Sequence, residues 1–370
     1  MKNCIIVFIG ILLLSCSVSC QKNTNKISNK QTSTYYKKFS EGGYLTYDDE
    51  TEILFQKFHY SDNHTSKVHF LDIKKDTVVV NTKKIKAPPF IKDFFLLEKN
   101  LIVLSSIPRT LGKNLKSTDS LIKYDKNLQV LEKKDMDISK YPAGNGFIIG
   151  GSDRLFYITE GFKYKKTPEL IISQIDTSFN IKNQIKIKTK EKSAFRYYPL
   201  KSVFIKDIGI VIVSTITYHN REKPIFKIEM FDFDLKKQWS QDIEASSIID
   251  LGYSISKNKI FLISEKQGNK INIWDFKGNR QTKTYYSTAK LISSTSNDNY
   301  IYILNNEGKE TFVSIIDYSG EIIDKVKKTT FIQIKESETN MLKYKQNQLF
   351  LISIDNYLNT LTITRVKDSL

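Results

Sequence analysis

The chain has three cysteines, Cys4, Cys16 and Cys20, and none beyond position 20. Residues 21–370 therefore hold no disulfide, no CxxC redox pair, no thiolate metal site and no cysteine nucleophile. A body without staples must be held by core packing, and 370 residues suffice for that. Glycine is scarce, at 15, and proline scarcer, at 7, so most turns fall to Asn, Asp and Lys-Asn pairs. Long apolar runs are missing too. The stretch at residues 5–14 is about half of what a membrane-spanning helix needs. No later segment keeps a three-to-four-residue apolar period over three turns, which excludes an amphipathic helical body. GxxxxGK[ST], HExxH and the 12-residue calcium loop are absent, and GYSIS at residues 252–256 lacks the last glycine of GxSxG.

What is present begins with MKNC, the short apolar run and then LLSC at residues 13–16. A charged start, a short apolar core and small residues before a cut mark a secretory signal. LLSC resembles the lipobox of bacterial lipoproteins, and SVSC at residues 17–20 is a second copy without the leading leucine. The resemblance implies removal of residues 1–15 and diacylglyceryl modification and acylation of Cys16, with Cys20 as the alternative. Several acyl chains give stable anchorage where one is marginal. Residues 21–34 are polar with a single aliphatic, Ile27, and residues 16–34 read as a flexible tether. Residues 35–370 read as one folded domain.

Within that domain the aliphatic signal comes in bursts of five to eight residues, among them NLIVLSS, RLFYITE, GIVIVSTITY, KIFLISE, YIYILNN and QLFLISI. Each is bounded by Gly, Asn, Asp, Lys or Ser, and each is a strand signature of period two. The bursts recur as a longer unit: a turn, a strand, a polar loop, a strand ending near Asp, a short turn and a third strand. The closing aspartates, Asp72, Asp125, Asp176, Asp232, Asp275 and Asp317, are 53, 51, 56, 43 and 42 residues apart, and Thr364 follows 47 later. That period predicts an all-β propeller of four-stranded antiparallel blades, seven in number with six as the alternative. A pair of β-sandwiches would need a linker, and none is visible. The last unit stops after its third strand, so residues 35–39 or 43–47 are expected to supply the missing outer strand and close the ring.

With LLSC, units such as INIWDFKGN and VSIIDYSGE make the chain resemble the propeller lipoproteins of Bacteroidetes-type bacteria, with NHL-like hairpins. Trp274–Asp275 is a lone WD dipeptide without its Gly-His partner, so the chain is not read as a WD40 protein. In the hairpins, each aspartate is expected to accept backbone N–H bonds from two residues on. Gly278 and Gly320 are expected at positive φ, and Asn127 and Asn180 near the left-handed position. The repeated aspartates are therefore turn-makers rather than a catalytic set.

Candidate chemistry is thin. His59, Asp62, His64 and His69 could offer mixed N/O ligands to zinc only if the turn at residues 60–63 made them converge, and a solvated polar hairpin is the plainer reading. Two tryptophans are too few for quinone-dependent propeller dehydrogenases, and sialidase-type aspartate boxes are missing. No catalytic, metal or cofactor residue is assigned, and no cofactor is expected. Binding is better supported, because propeller function sits in the connecting loops. Arg196, Tyr197 and Tyr198, placed just before a blade, could stack on a sugar or peptide. Arg109, in the polar excursion at residues 105–120, and Arg221, in residues 216–224, are weaker candidates.

The net charge of +17 falls to +16 once residues 1–15, with Lys2, are gone. Such a body is drawn to anionic headgroups, acidic glycans or acidic proteins, although dispersed Lys serves solubility alone. Outside the cytoplasm no nucleic acid partner is expected. The expectation is a lipid-anchored envelope propeller, placed at the outer membrane, that binds or scaffolds an envelope protein, peptide or anionic glycan without catalysis. The alternative is a propeller enzyme acting on glycans, or a metal-dependent one, with its site over the central channel.

Overall fold

The computed structural model describes residues 25–26, 34–38, 43–47, 52–57, 65–73, 77–86, 90–97, 100–111, 114–136, 146–151, 153–161, 167–189, 194–218, 223–281, 285–308, 310–327, 338–345, 348–355 and 360–367. Among them every regular element is a strand. The strands form seven antiparallel sheets, six of four strands and one of five. These are the blades of a β-propeller: blades 1 to 7 span residues 43–86, 90–136, 146–188, 194–243, 247–287, 290–327 and 338–367. The first strand of each blade from 2 to 6 touches the first strand of the next, so these strands line the axis.

The second strand of each blade explains the apolar bursts. In Gly209–Tyr218 nearly every residue is buried. Ile210 and Ile212 pack against Phe156, Ile158 and Leu170 of blade 3, while Val211 and Val213 pack against Leu251, Ile260 and Leu262 of blade 5. Blades 5 and 6 repeat the pattern. Ile301 and Ile303 turn to blade 5, whereas Tyr302 and Leu304 turn to blade 7. Period two here addresses two apolar neighbours, so the run is continuous rather than alternating with polar residues.

The aspartate hairpins come out as one repeated five-residue turn. Oδ1 of Asp125, Asp176, Asp232, Asp275 and Asp317 accepts N–H bonds from the second and fourth residues on, at 2.8–3.0 Å. The third residue on has positive φ, as in a type I turn closed by a bulge. It is Gly278 and Gly320 in blades 5 and 6, as expected. In blades 2 to 4 it is Leu128, Phe179 and Leu235, not Asn127 or Asn180. All three side chains are buried; Phe179 and Leu235 plug the interface with the preceding blade. The left-handed backbone costs about 1–2 kcal/mol, and burying a Leu or Phe returns about 1.5–3 kcal/mol, so packing outweighs strain. Where glycine holds the position, Trp239 of the neighbouring outer strand fills the space over Gly278.

These turns also lock neighbours together. From the outer strand of blade 2, Lys134 Nζ reaches Asn180 Oδ1 at 2.7 Å. From blade 3, Asn183 Nδ2 reaches the Asp234 carbonyl at 3.1 Å. From blade 4, Trp239 Nε1 and Gln241 Nε2 reach the carbonyls of Phe276 and Gly278 at 3.0 and 2.7 Å.

The ring closes as the sequence required. Thr34–Lys38 pairs with Thr360–Lys367 as the outer strand of blade 7. The other candidate, Gly43–Tyr47, is the first strand of blade 1. Asn25–Lys26, inside the segment read as tether, pairs with Val78 and Thr77 as a fifth strand of blade 1.

Candidate functional site

A propeller has two faces. One carries the tight turns, between first and second strands and between third and outer strands. The other carries the remaining connections and is the loop face.

Arg196, Tyr197 and Tyr198 do not precede a blade. They lie on the first strand of blade 4, Ala194–Ile205, close to the loop face. Two bulges, at Ala194/Arg196 and Pro199/Lys201, shape this strand and redirect its side chains. Arg196 gives Nε and Nη2 to Oε1 and Oε2 of Glu160 at 3.0 and 2.7 Å. Glu160, at the end of the second strand of blade 3, is 1% exposed. The guanidinium also lies 4.5 Å from the centre of the Tyr198 ring. Its hydrogen bonds to Glu160 raise the Arg196 pKa further, against the opposing effect of burial. Next to it Phe195 is 41% exposed. The result is a cation clamped between a buried carboxylate and an aromatic face, next in sequence to a partly exposed phenylalanine. The clamp fixes a side chain that otherwise carries much rotamer entropy.

Tyr197 points the other way. It is 2% exposed, and its hydroxyl donates to Glu229 Oε2 at 2.7 Å. Glu229 Oε1 accepts from Lys237 Nζ at 2.6 Å and Ser240 Oγ at 3.3 Å. Burial, with Glu229 adding, pushes the Tyr197 hydroxyl far above its ordinary pKa, so it stays a donor. Arg109 lies on a long hairpin strand, Asn100–Leu111, opposite Lys116, where an irregular excursion was expected. Nothing is described of its side chain. Arg221, His59, Asp62, His64 and His219 lie outside the described residues; His69 is placed by its backbone only, in Thr65–Ile73.

Three further acidic residues, Asp119, Asp93 and Asp250, were not picked out from the sequence. Asp119 accepts from Lys92 Nζ at 2.7 Å and from the Tyr157 hydroxyl of blade 3 at 2.5 Å. Burial, reinforced by Asp119, raises the Tyr157 pKa well above its ordinary value. Asp93 and Asp250 follow matched bulges on the first strands of blades 2 and 5. Asp93 accepts N–H bonds from Phe94 and from Ile148 of blade 3, both at 2.9 Å. Burial pushes its carboxyl up to about 7, against the pull of those two donors. Asp250 accepts from Leu251 N at 2.9 Å and from the Ser294 hydroxyl of blade 6. The available signal was a lone acid inside an apolar strand, as in LFYITE and KIEMF, since such a group requires a buried partner.

Chemically, Asp119, Glu160 and Glu229 each face a cation, so their charge supports the fold. Among the described residues no group of three His, Cys, Asp or Glu is placed to hold a metal ion. Among them, too, no helix is long and apolar enough to cross a membrane.

No family model matches the chain, and neither does any curated protein. Solved structures do match in fold. The β-propeller domain of Cps50 (Swd1) from Myceliophteria thermophila superposes with a TM-score of 0.56 at 9% identity, over 89% of this chain and 98% of that one. The Dos1 propeller gives 0.55 at 12% identity, over 90% and 81%. The WD40 domain of Pan2 from Neurospora crassa gives 0.55 at 8% identity, over 94% and 100%. At these identities the likeness is one of architecture: the chain is an all-β propeller, distantly similar in shape to propellers of the WD40 type.

Proposed function

We propose that this chain is a non-catalytic binding or scaffold propeller, held to a bacterial outer membrane by a lipid on Cys16, or on Cys20. Its partner is an envelope protein, peptide or anionic glycan. The observation that carries the binding reading is the Phe195–Arg196–Tyr198 edge on the loop face, with Arg196 pre-positioned by buried Glu160. A fixed guanidinium against an aromatic ring, with a second ring exposed at the neighbouring residue, is the chemistry of a binding hot spot. A glycan-cleaving enzyme would instead need two carboxylates free to act as acid and base. Asp119, Glu160 and Glu229 are tied up in ion pairs. Asp93 has a raised pKa but is spent on two backbone N–H groups.

The test is cross-linking of the full chain in its native cells through a C-terminal tag, followed by mass spectrometry. The wild type is expected to recover specific envelope components in stoichiometric amount. The Phe195→Ala/Tyr198→Ala double variant should lose them without losing melting temperature. Equal recovery from both chains would remove this edge from the site.

A further inference from the structure

We infer that the turn face of the propeller is a lipid-contacting surface, seated against the bilayer by an apolar rim. The inference rests on the lipid-tether reading of Cys16 or Cys20. Among the described residues seven large apolar side chains are exposed, and six of them lie at this face. Val130 and Leu131, Ile181, and Ile322 and Ile323 directly follow the aspartate turns of blades 2, 3 and 6. Ile255 sits in the tight turn of blade 5, at the same face. Their exposures run from 45% to 56%. Only Phe195 belongs to the loop face.

The occupant is identified by where the tether leaves. Thr34 pairs with Thr364 and Lys38 with Thr360, so the closing strand starts near the turn face and runs toward the loop face. Lys26 pairs with Thr77, the first residue of the outer strand of blade 1, at the turn face as well. Asn25 lies nine positions after Cys16 and five after Cys20. Fully extended these reach about 30 Å and about 17 Å. Asn25, opposite Val78, stands one residue in from the turn face, so a lipid on either cysteine is within reach of that rim, where the exposed apolar side chains supply the contact. The attraction is apolar rather than electrostatic. Exposed residues of the described tight turns include five lysines and five acidic residues, which balance despite the net charge of +17.

The absence of cysteine beyond Cys20 makes the test clean. The full chain, with whichever of Cys16 and Cys20 carries no acyl group in the wild type changed to serine, and in turn Leu131→Cys, Ile181→Cys, Ile323→Cys or Phe195→Cys, is labelled with an environment-sensitive fluorophore. It is reconstituted into phosphatidylethanolamine–phosphatidylglycerol vesicles holding a lipid-borne quencher, and its N-terminal peptide is weighed. Labels at 131, 181 and 323 should shift to the blue and be quenched, while the label at 195 stays in water. Leu131→Lys with Ile181→Lys, both at exposed positions, should abolish the shift at 323. If the peptide carries acyl mass but the three labels remain water-exposed, the inference falls and the tether stands. If acyl mass is absent and the labels stay in water, both fall. If the three labels shift without acyl mass, the lipid face stands alone and the tether falls. Protection of the three labels in native membranes by a cross-linked protein, without lipid quenching, also overturns the inference.

Discussion

Single residues decide how this fold responds to acid. The folded pKa of Asp93 is raised to about 7, well above that of an unfolded aspartate. The folded state therefore holds a proton that the unfolded state has released, and stability falls as pH rises from about 4 to about 7. The slope is at most about 1.4 kcal/mol per pH unit. Asp176, Asp275 and Asp317 are shifted the other way. For Asp176 the ion pair with Lys182 leads; for the other two, turn hydrogen bonds exceed desolvation. Their contribution is present above pH 4 and lost on acidification. Urea titrations at pH 5 and 8 should show wild type more stable at pH 5, and Asp93→Asn should flatten that difference. An unchanged pH slope in Asp93→Asn would reject the assignment. Gly278 makes a second test. An added Cβ there meets Trp239 Cγ at 2.7 Å with φ at +88°, while one at Gly308, φ +63°, meets nothing. Gly278→Ala should cost more than the 1–2 kcal/mol or so expected from backbone strain alone and should perturb tryptophan fluorescence. Gly308→Ala should stay near that backbone cost and leave the emission unchanged.

At the scale of the element, the third-to-outer hairpin is the part of this fold most legible in the sequence. Its aspartates recur because one carboxylate oxygen must take two backbone N–H groups, and five copies do so. The left-handed position was legible where glycine filled it and illegible at Leu128, Phe179 and Leu235; at the last two it is the neighbouring blade that makes a bulky residue worthwhile. The first strands were hardest to read. FIKDFFLL, AFRYYPLKSVFI and KLISSTS mix apolar and polar side chains and carry bulges that break the period. That is why Arg196 was expected in a connection and is found on a strand, and why the buried partner of its charge was missed. The hairpin itself is testable. Asp232→Ala leaves the N–H groups of Asp234 and Lys236 without their acceptor and should cost about 1–2 kcal/mol, as loss of a comparable cap does. A neutral substitution in chemical denaturation would mean that water replaces the carboxylate at no cost.

For the molecule as a whole, closure and orientation share one strand. Replacing both Tyr35 and Tyr36 by proline removes at least one ladder N–H, since successive residues of a strand point theirs to opposite sides. The expected result is preferential proteolysis within residues 338–367 and a split unfolding transition. A single transition at the wild-type midpoint would show that Thr34–Lys38 adds little to the ring. If the turn face meets lipid through its apolar rim, vesicle association should survive a rise from about 0.05 M to about 0.5 M salt, which shortens the Debye length to a few ångströms. Binding at the basic protein's loop face to an acidic partner should weaken over the same range. Loss of both on adding salt would make the vesicle contact electrostatic.

The pairing of Thr34–Lys38 with Thr360–Lys367 has a consequence for biogenesis. Of the two partners in the last blade, one is synthesised long before the other. No order of synthesis lets the ring seal early. A chain threaded N-terminus first through a translocon would deliver its clasp long before the strand it fastens to. Blades 2 to 6 draw all their strands from consecutive chain and can assemble as they emerge. The seventh waits for Thr360–Lys367, so completion of the ring follows the synthesis of every other blade.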